Sequence, residues 1–320
     1  MRFSPLILLA GSLLASEPTP AYPLWDGQES VADYAKKVNL PATKTLDLGN
    51  GVKLELVLIP AGKFIMGTPE PVAEDEEGFR KKIAAGQETV QGLEKAQLEY
   101  KAAKARFDAA ASEEKPSHSV TLSKPYYMGK FVVTQEQYQQ LTGANRSTFK
   151  GKDNPVETVS WDETQAFCKK LTEQSKQTVR LPTDAEWEYA CRAGTTTTYY
   201  SGDSDAELAR VAWYSANSKS TTHPVGQKEP NTFGLYDMHG NVHQWCEDRW
   251  DENDASPSQA VDPQHPVQGT FRLFRGGSWL HDPKICRSAG RFGGSPIIGF
   301  ETIGFRVVAP ASAADGQRKP

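Results

Sequence analysis

The side chains with the greatest capacity for chemistry in this sequence are four cysteines in its second half. They are Cys168, Cys191, Cys246 and Cys286. An even set without a Cys-x-x-Cys pair does not indicate a zinc ribbon, but it suits disulfides in an oxidising compartment. Two histidines, His239 and His243, are four residues apart in a turn-rich segment. We therefore expect solvated or hydrogen-bonded histidines there rather than a helical metal pair.

The amino terminus has the layout of a secretory signal peptide. Arg2 precedes an apolar run over residues 6–15, and a short polar stretch ends at Ala21. This order is typical of a cleaved signal, and the run is too short to span a bilayer. No later segment is apolar enough to be a membrane helix. We expect residues 1–21 to be removed and the mature protein to be secreted or periplasmic, where disulfides persist.

Composition and motifs exclude several classes of function. Hydrophobic residues make up 38% of the 320 residues, which is ordinary for a globular protein with a buried core. The formal net charge of −4 and the lack of a basic cluster argue against a nucleic-acid partner. The sequence contains no Gly-x-Ser-x-Gly elbow, no phosphate-binding Gly-x-x-x-x-Gly-Lys and no His-Glu-x-x-His.

The elements that must position these residues form an α+β pattern with much irregular structure. Residues 53–59 have a strand-like apolar pattern followed by a turn. Three helix starts carry capping boxes, namely Thr134 with Gln137, Ser160 with Glu163, and Thr183 with Glu186. From residue 195 onward, turn-forming residues separate short apolar runs, which predicts long loops on a few strands.

The domain is expected to span 48–310, after a polar lead-in over 22–47 and before a tail over 311–320. Residues 69–115 are different in character, because they are rich in Glu, Lys, Ala and Gln. One helical stripe recurs there at Leu93, Ala96, Tyr100, Ala103 and Phe107. This predicts a helical insertion that packs on its own domain, docks another chain, or is partly disordered.

Four blocks in this order resemble the formylglycine-generating enzyme, or sulfatase-modifying factor, family. They are Arg-Leu-Pro-Thr-Asp-Ala-Glu-Trp-Glu-Tyr-Ala-Cys-Arg-Ala-Gly at 180–194, Gly-Leu-Tyr-Asp-Met-His-Gly-Asn-Val-His-Gln-Trp-Cys at 234–246, Arg-Gly-Gly-Ser-Trp at 275–279, and Ile-Gly-Phe-Arg-Val-Val at 303–308. The resemblance covers 48–310 apart from the insertion. It implies a compact, loop-rich domain, distantly like C-type lectins.

The resemblance implies an oxidase site after the Gly-Gly-Ser turn. In the family, two cysteines there hold copper(I), and molecular oxygen oxidises a sulfatase cysteine to formylglycine. Here the first position is His281 and the second is Cys286. Soft thiolates select copper(I) and imidazole suits copper, so one hypothesis is an altered copper site with Ser278, His281 and Cys286 as catalytic residues. The other is a structural Cys286 with His281 in a surface loop.

The resemblance also implies a calcium site. The family's ligands match the side chains of Asp237 and Gln244 and the backbone carbonyls of Gly240 and Val242. Calcium requires several oxygens, and carboxylates raise its affinity. Gln244 stands where the family has Glu, so an oxygen remains but a charge is lost. Either calcium is retained, or the loop is held by its own hydrogen bonds with Asn241 inward.

Two further expectations come from the resemblance. A family bridge joins roughly the regions of Cys191 and Cys286, which leaves Cys168 and Cys246 to pair by exclusion. A bridged Cys286 cannot bind copper, so the structural and catalytic hypotheses exclude each other. His243 takes the place of an aromatic residue, usually Trp, that lines the oxidases' substrate cleft.

We therefore predict an exported relative of this family that has lost the copper dithiolate. Its expected role is a binding or accessory module for a protein or carbohydrate ligand, and the sequence does not identify that ligand. One alternative is a copper-dependent oxidoreductase that generates formylglycine with altered ligation. Another is a different enzyme in the same cleft, since one fold hosts many chemistries.

Overall fold

The structure is a computed structural model, and it describes residues 22–70, 81–87, 114–250, 260–264 and 269–311, with isolated positions between 89 and 104. The predicted signal peptide, most of the predicted insertion and nearly all of the predicted tail lie outside the described residues. Within the part of the chain that the structure describes, no helix has both the length and the apolar character needed to cross a bilayer.

Strands near both ends of the domain form the first sheet. In the order β1-β2-β5-β10, all antiparallel, its strands are Thr43–Asp47, Lys53–Ile59, Tyr126–Gly129 and Val308–Pro310. Alternate side chains of β2 pack on two sides, because Leu56 belongs to one core cluster and Val57 to the other. Strands β3, Gly62–Met66, and β4, His118–Leu122, flank the predicted insertion and pair with each other.

The second sheet carries the candidate site. In the order β8-β7-β6-β9, its strands are Arg291–Gly294, Phe271–Arg275, His243–Trp250 and Ile303–Phe305. Strand β6 pairs antiparallel with β7 and parallel with β9. The register places Gln244 opposite Arg275, so His243 lies beside the turn that follows β7.

The main helices of the described residues accompany these sheets, and the predicted α+β class is confirmed. They are α1 Val31–Lys37, α2 Gln135–Thr142, α3 Trp161–Ser175, α4 Asp184–Arg192 and α5 Asp205–Val211, with a 3-10 turn at Pro283–Ile285. All three predicted capping boxes are present, with both reciprocal hydrogen bonds at the starts of α2, α3 and α4. Helix α5 begins with a fourth box, Ser204 with Glu207, which the sequence analysis missed.

A buried ion network fixes the end of β7. Arg275 is fully buried, and its guanidinium donates to Asp184 at 2.6 Å and to Glu188 at 2.7 Å, both on α4. Burial acts to lower the pKa of Arg275, but the two carboxylates outweigh it and raise that pKa. Because a buried charge is costly unless it is paired, this network holds the Gly-Gly-Ser turn against α4.

Candidate functional site

The Gly-Gly-Ser turn begins where β7 ends. Gly276 and Gly277 both have positive φ values, of 94° and 75°. A Cβ at Gly277 would overlap the sulfur of Cys286. Glycine is therefore required there for backbone conformation and for space, and the cysteine packs directly behind the turn.

Ser278 and His281 form a close pair within this turn. The Ser278 Oγ lies 2.7 Å from His281 Nδ1, and the backbone N–H of Leu280 donates to the same oxygen at 3.3 Å. Ser278 is fully buried and His281 is half-buried. Burial lowers the pKa of His281, and the neighbouring Asp282 acts in the opposite direction. The structure thus brings together two of the three predicted oxidase residues.

Cys286 lies behind the same turn, next to the backbone of Gly277 and Ser278. It is fully buried, and burial raises the pKa of its thiol to about 12, although the backbone of Ser278 and Gly240 acts in the opposite direction. The family holds copper(I) between two thiols, whereas this turn offers one thiol, Cys286, and the imidazole of His281. Soft thiolates select copper(I), so the residues present do not reproduce the two-sulfur site of the family.

The ring of His243 packs against that of His281, a contact that the sequence did not predict. The centroids of the two rings are 4.8 Å apart, with an angle of 64° between their planes. The Gly277 N–H donates to His243 Nδ1 at 3.1 Å, and the ring also contacts Phe274 and Phe292. Burial, and then His281, lower the pKa of His243 well below its usual range. Of the two states predicted for this histidine, solvated or hydrogen bonded, the structure shows the hydrogen-bonded one.

Asp237 keeps one feature of a cation site. It is buried with φ of 53°, and its Oδ2 accepts from the Gly226 N–H at 2.8 Å. Its Oδ1 is buried and has no hydrogen-bond partner. Burial raises the pKa of this carboxyl, and the Gly226 hydrogen bond and Arg306 oppose the shift. An unpartnered buried carboxylate oxygen suits calcium, which takes oxygen ligands.

Gln244 does not fit a calcium ligand in this arrangement. Its Oε1 accepts from Trp187 Nε1 at 2.8 Å and from Arg306 Nε at 2.6 Å. Its Nε2 donates to the backbone oxygen of Asp237 at 2.8 Å. Burial lowers the pKa of Arg306 to about 10, and Asp237 acts in the opposite direction. The amide oxygen is already occupied by two donors, so the loop is held partly by its own hydrogen bonds.

Asn241 supports the same loop from the other side. It is fully buried; its Nδ2 donates to the His223 carbonyl at 2.9 Å, and its Oδ1 accepts from the His223 N–H at 3.1 Å. This inward position agrees with the alternative in which hydrogen bonds hold the loop. Of the predicted calcium ligands, Asp237 is the one with a buried side-chain oxygen that accepts no hydrogen bond.

Neither predicted disulfide is formed in the structure, where all four cysteines are free. The ring of His239 lies against Cys191, with its Nε2 3.8 Å from the sulfur, and it hydrogen bonds with the backbone of Cys286. Cys168 shares a core cluster with Trp245, whereas Cys246 belongs to the other cluster. Successive residues of a strand point to opposite faces, so Cys246 points away from the cluster of Cys168.

The sequence is similar to a known family of domains and to several known proteins. Residues 50–311 match the model of the sulfatase-modifying factor enzyme 1-like domain. The formylglycine-generating enzyme of Bos taurus is 27% identical over 288 residues, which cover 80% of this chain and 74% of the bovine protein. The chaperone protein LppX of Paenibacillus barcinonensis is 32% identical over 212 residues, covering 51% of this chain and 71% of LppX.

Solved structures agree with the fold. Treponema denticola variable protein 1 has a TM-score of 0.67 and 28% identity, covering 85% of this chain and 100% of that protein. PvdO from Pseudomonas aeruginosa has a TM-score of 0.64 and 25% identity, covering 84% of this chain and 98% of PvdO. These similarities support the predicted loop-rich α+β domain.

Proposed function

The chain belongs to the sulfatase-modifying factor enzyme 1-like domain family, and we propose that it is a non-oxidase member that acts as a binding or accessory module. The single observation that carries this proposal is that His281 stands where the family has the first of its two cysteines. The pair of thiols for copper(I) is therefore replaced by a half-buried imidazole, hydrogen bonded to Ser278, and one buried thiol, Cys286.

Exposed apolar side chains beside the site support a binding role. Leu280 and Phe300 are 53% and 44% exposed, and Ile297 is 74% exposed. The hydrogen bond from Trp279 Nε1 to the Glu301 carbonyl, 3.1 Å, holds these two segments together. Exposed apolar side chains are typical of interaction sites when they form a contiguous patch. They favour a protein ligand over a carbohydrate.

The test is incubation of the mature protein with a Cys-x-Pro-x-Arg peptide and supplied copper. We expect no aldehyde product by mass spectrometry, with the Streptomyces coelicolor formylglycine-generating enzyme as the positive control. Aldehyde that depends on Cys286 would instead support the alternative of an oxidoreductase with altered copper ligation.

We also propose that the protein is exported after removal of residues 1–21. The support is the order of Arg2, the apolar run over 6–15 and the polar stretch to Ala21. Amino-terminal sequencing of the protein recovered outside the cytoplasm should start near Tyr22. A sequence beginning at Met1 would overturn this part of the proposal.

A bound calcium ion is the third part of the proposal. The support is the buried, unpartnered Oδ1 of Asp237. Asp237 would hold the ion together with the backbone carbonyls of Gly240 and Val242. Gln244 would keep its hydrogen bonds to Trp187 and Arg306, so calcium would bind here with one side-chain ligand fewer than in the family.

A further inference from the structure

A cavity of about 600 Å³ is built partly from the residues that follow His281. Its size is within the range of small-molecule sites. The described residues that line it belong to the segments 68–70, 196–205 and 282–289 and to the end of α4. Neither His281 nor Cys286 is among these lining residues, so the cavity is separate from the two residues on which the proposed function rests.

Hydrogen bonds and an ion pair fix the walls of the cavity to one another. The Ser288 N–H donates to the Thr198 carbonyl at 2.9 Å, which ties two of the segments together. Glu114 is buried; one of its carboxylate oxygens accepts from the Thr68 hydroxyl at 2.7 Å, and the other pairs with the guanidinium of Arg287. The cavity is therefore a preformed part of the fold, as ligand sites usually are.

The two arginines at the cavity have their charges paired within the protein. Arg192 donates to Glu188 at 2.9 Å and to two backbone carbonyls. Arg287 pairs with Glu114, and its Nε, which has no partner, is sealed from solvent. These arginines therefore offer little positive charge to a ligand in the cavity.

Three carboxylates at the cavity differ from the arginines, because they have no charged partner in the described contacts. They are Glu70, Asp205 and Asp282. Asp282 accepts a long hydrogen bond from the Ser215 hydroxyl, 3.4 Å. Lys284 is the basic side chain there that has no ion pair among the described residues. The unpaired charge at the cavity is thus negative on balance, which favours a cationic ligand.

Tyr199 gives an observation that is independent of these charges. The residue lines the cavity and is only 3% exposed. Its hydroxyl makes no hydrogen bond in the described contacts, yet it is not among the unpartnered atoms that are sealed from solvent, so it opens on the cavity. Burial, and then the charge of Asp205, raise the pKa of Tyr199 above its usual range. Because buried hydroxyls normally have hydrogen-bond partners, a ligand atom is the missing partner here.

We propose that this cavity binds the cationic amine of a ligand, with Asp205 and Asp282 supplying negative charge and the Tyr199 hydroxyl accepting a hydrogen bond. An ammonium group has three N–H donors and no acceptor, and a phenolic hydroxyl can accept as well as donate. A free diamine and the side chain of a lysine carry the same group, and the experiment separates these two sources. The inference goes beyond the proposed function, since it holds whether or not the protein is an oxidase.

The first measurement is isothermal titration calorimetry of the mature protein at low ionic strength. The probes are cadaverine and Nα-acetyl-lysine methylamide, and the control compounds are pentanediol and glutarate, which have similar lengths and no positive charge. We expect one or both amines to bind and neither control compound to bind. Added salt should weaken the binding, because it screens exposed charges. No binding of either amine, or equal binding of a control compound, would overturn the inference.

The second measurement repeats the titration with variants at the cavity. Asp205 and Asp162 are exposed aspartates in the first turns of α5 and α3, and Asp162 does not line the cavity, so Asp162→Asn is the matched control for Asp205→Asn. We expect Asp205→Asn to weaken amine binding by up to about fivefold. Tyr199→Phe, which keeps the ring, should weaken it by about threefold to tenfold. Asp162→Asn should bind like the wild type, and melting temperatures check that each variant is folded.

Folded Asp205→Asn and Tyr199→Phe proteins with wild-type affinity for the amine would overturn the cavity as its site and leave the proposed function intact. Aldehyde formation on the sulfatase peptide would overturn the proposed function and leave the amine site intact.

Discussion

Gln244 and His281 both stand where the resembled family places a metal ligand, yet their surroundings differ. Gln244 is fully buried, and each end of its amide is hydrogen bonded, to Trp187, Arg306 and the Asp237 backbone. His281 is half-buried and its ring is fixed at Nδ1 only. In the first region the replacement became part of the core. In the second it left a partly exposed ring that is hydrogen bonded at one nitrogen.

This contrast indicates how a replaced ligand position is accommodated by its surroundings. A buried ligand position must be refilled with hydrogen bonds, because its neighbours cannot turn to water. A partly exposed ligand position is less constrained, because water can satisfy the polar atoms of the replacement. The following predictions test the contrast, from the largest expected effect to the smallest.

The largest effect should come from replacing the two residues by leucine. Gln244→Leu leaves the Trp187 N–H and the buried Arg306 guanidinium short of an acceptor, which should cost about 3 to 5 kcal/mol of unfolding free energy. His281→Leu should cost about 1 to 2 kcal/mol, because it removes the partner of one buried neutral hydroxyl, that of Ser278. Urea denaturation of both variants measures the difference, and similar losses at the two sites would contradict the comparison.

Acid sensitivity should come from His239, whose fully buried ring stacks on Tyr200 and lies against Cys191. Burial lowers its pKa from 6.5 to about 3, the Cys286 backbone acts in the opposite direction, and Nε2 accepts from the Tyr200 N–H. The unfolded chain takes up the proton first as the pH falls, so this contribution to stability is complete above 6.5 and is lost from there down to about 3. The loss at pH 5 should be about 2 kcal/mol.

His239→Gln retains an acceptor for Tyr200 but does not titrate in this range. Urea denaturation at pH 7 and pH 5 should therefore show a smaller drop for His239→Gln than for the wild type. If the two proteins lose equal stability between these pH values, other groups dominate the acid response.

The smallest effect should be the response to calcium. A ligand that binds only the folded state at ten times its Kd adds about 1.4 kcal/mol. Gln244→Glu returns a carboxylate to the loop and should gain more from calcium than the wild type, whereas Asp237→Ala should gain nothing. Melting temperatures with calcium and with chelator measure this. A wild type whose melting does not respond to chelator would remove calcium from the proposal.

Much of the fold could be predicted, because its signals are local. The capping boxes depend on residues three apart, and all three that were predicted begin helices at Gln135, Trp161 and Asp184. The α+β class followed from the same pattern together with the family blocks. The pairing of His243 with His281 could not be predicted, because it depends on the register of β6 against β7 across about 30 residues.

The sequence by itself determined which side chains this protein has at the two regions, including Gln244, His281 and a single Cys286 after the turn. It also determined the helix starts and the family, since both depend on short runs of residues. The tertiary structure decided the partners of those side chains. Trp187 and Arg306 reach Gln244 from 57 and 62 residues away. Such contacts arise when sheets and helices pack, and no local pattern specifies them.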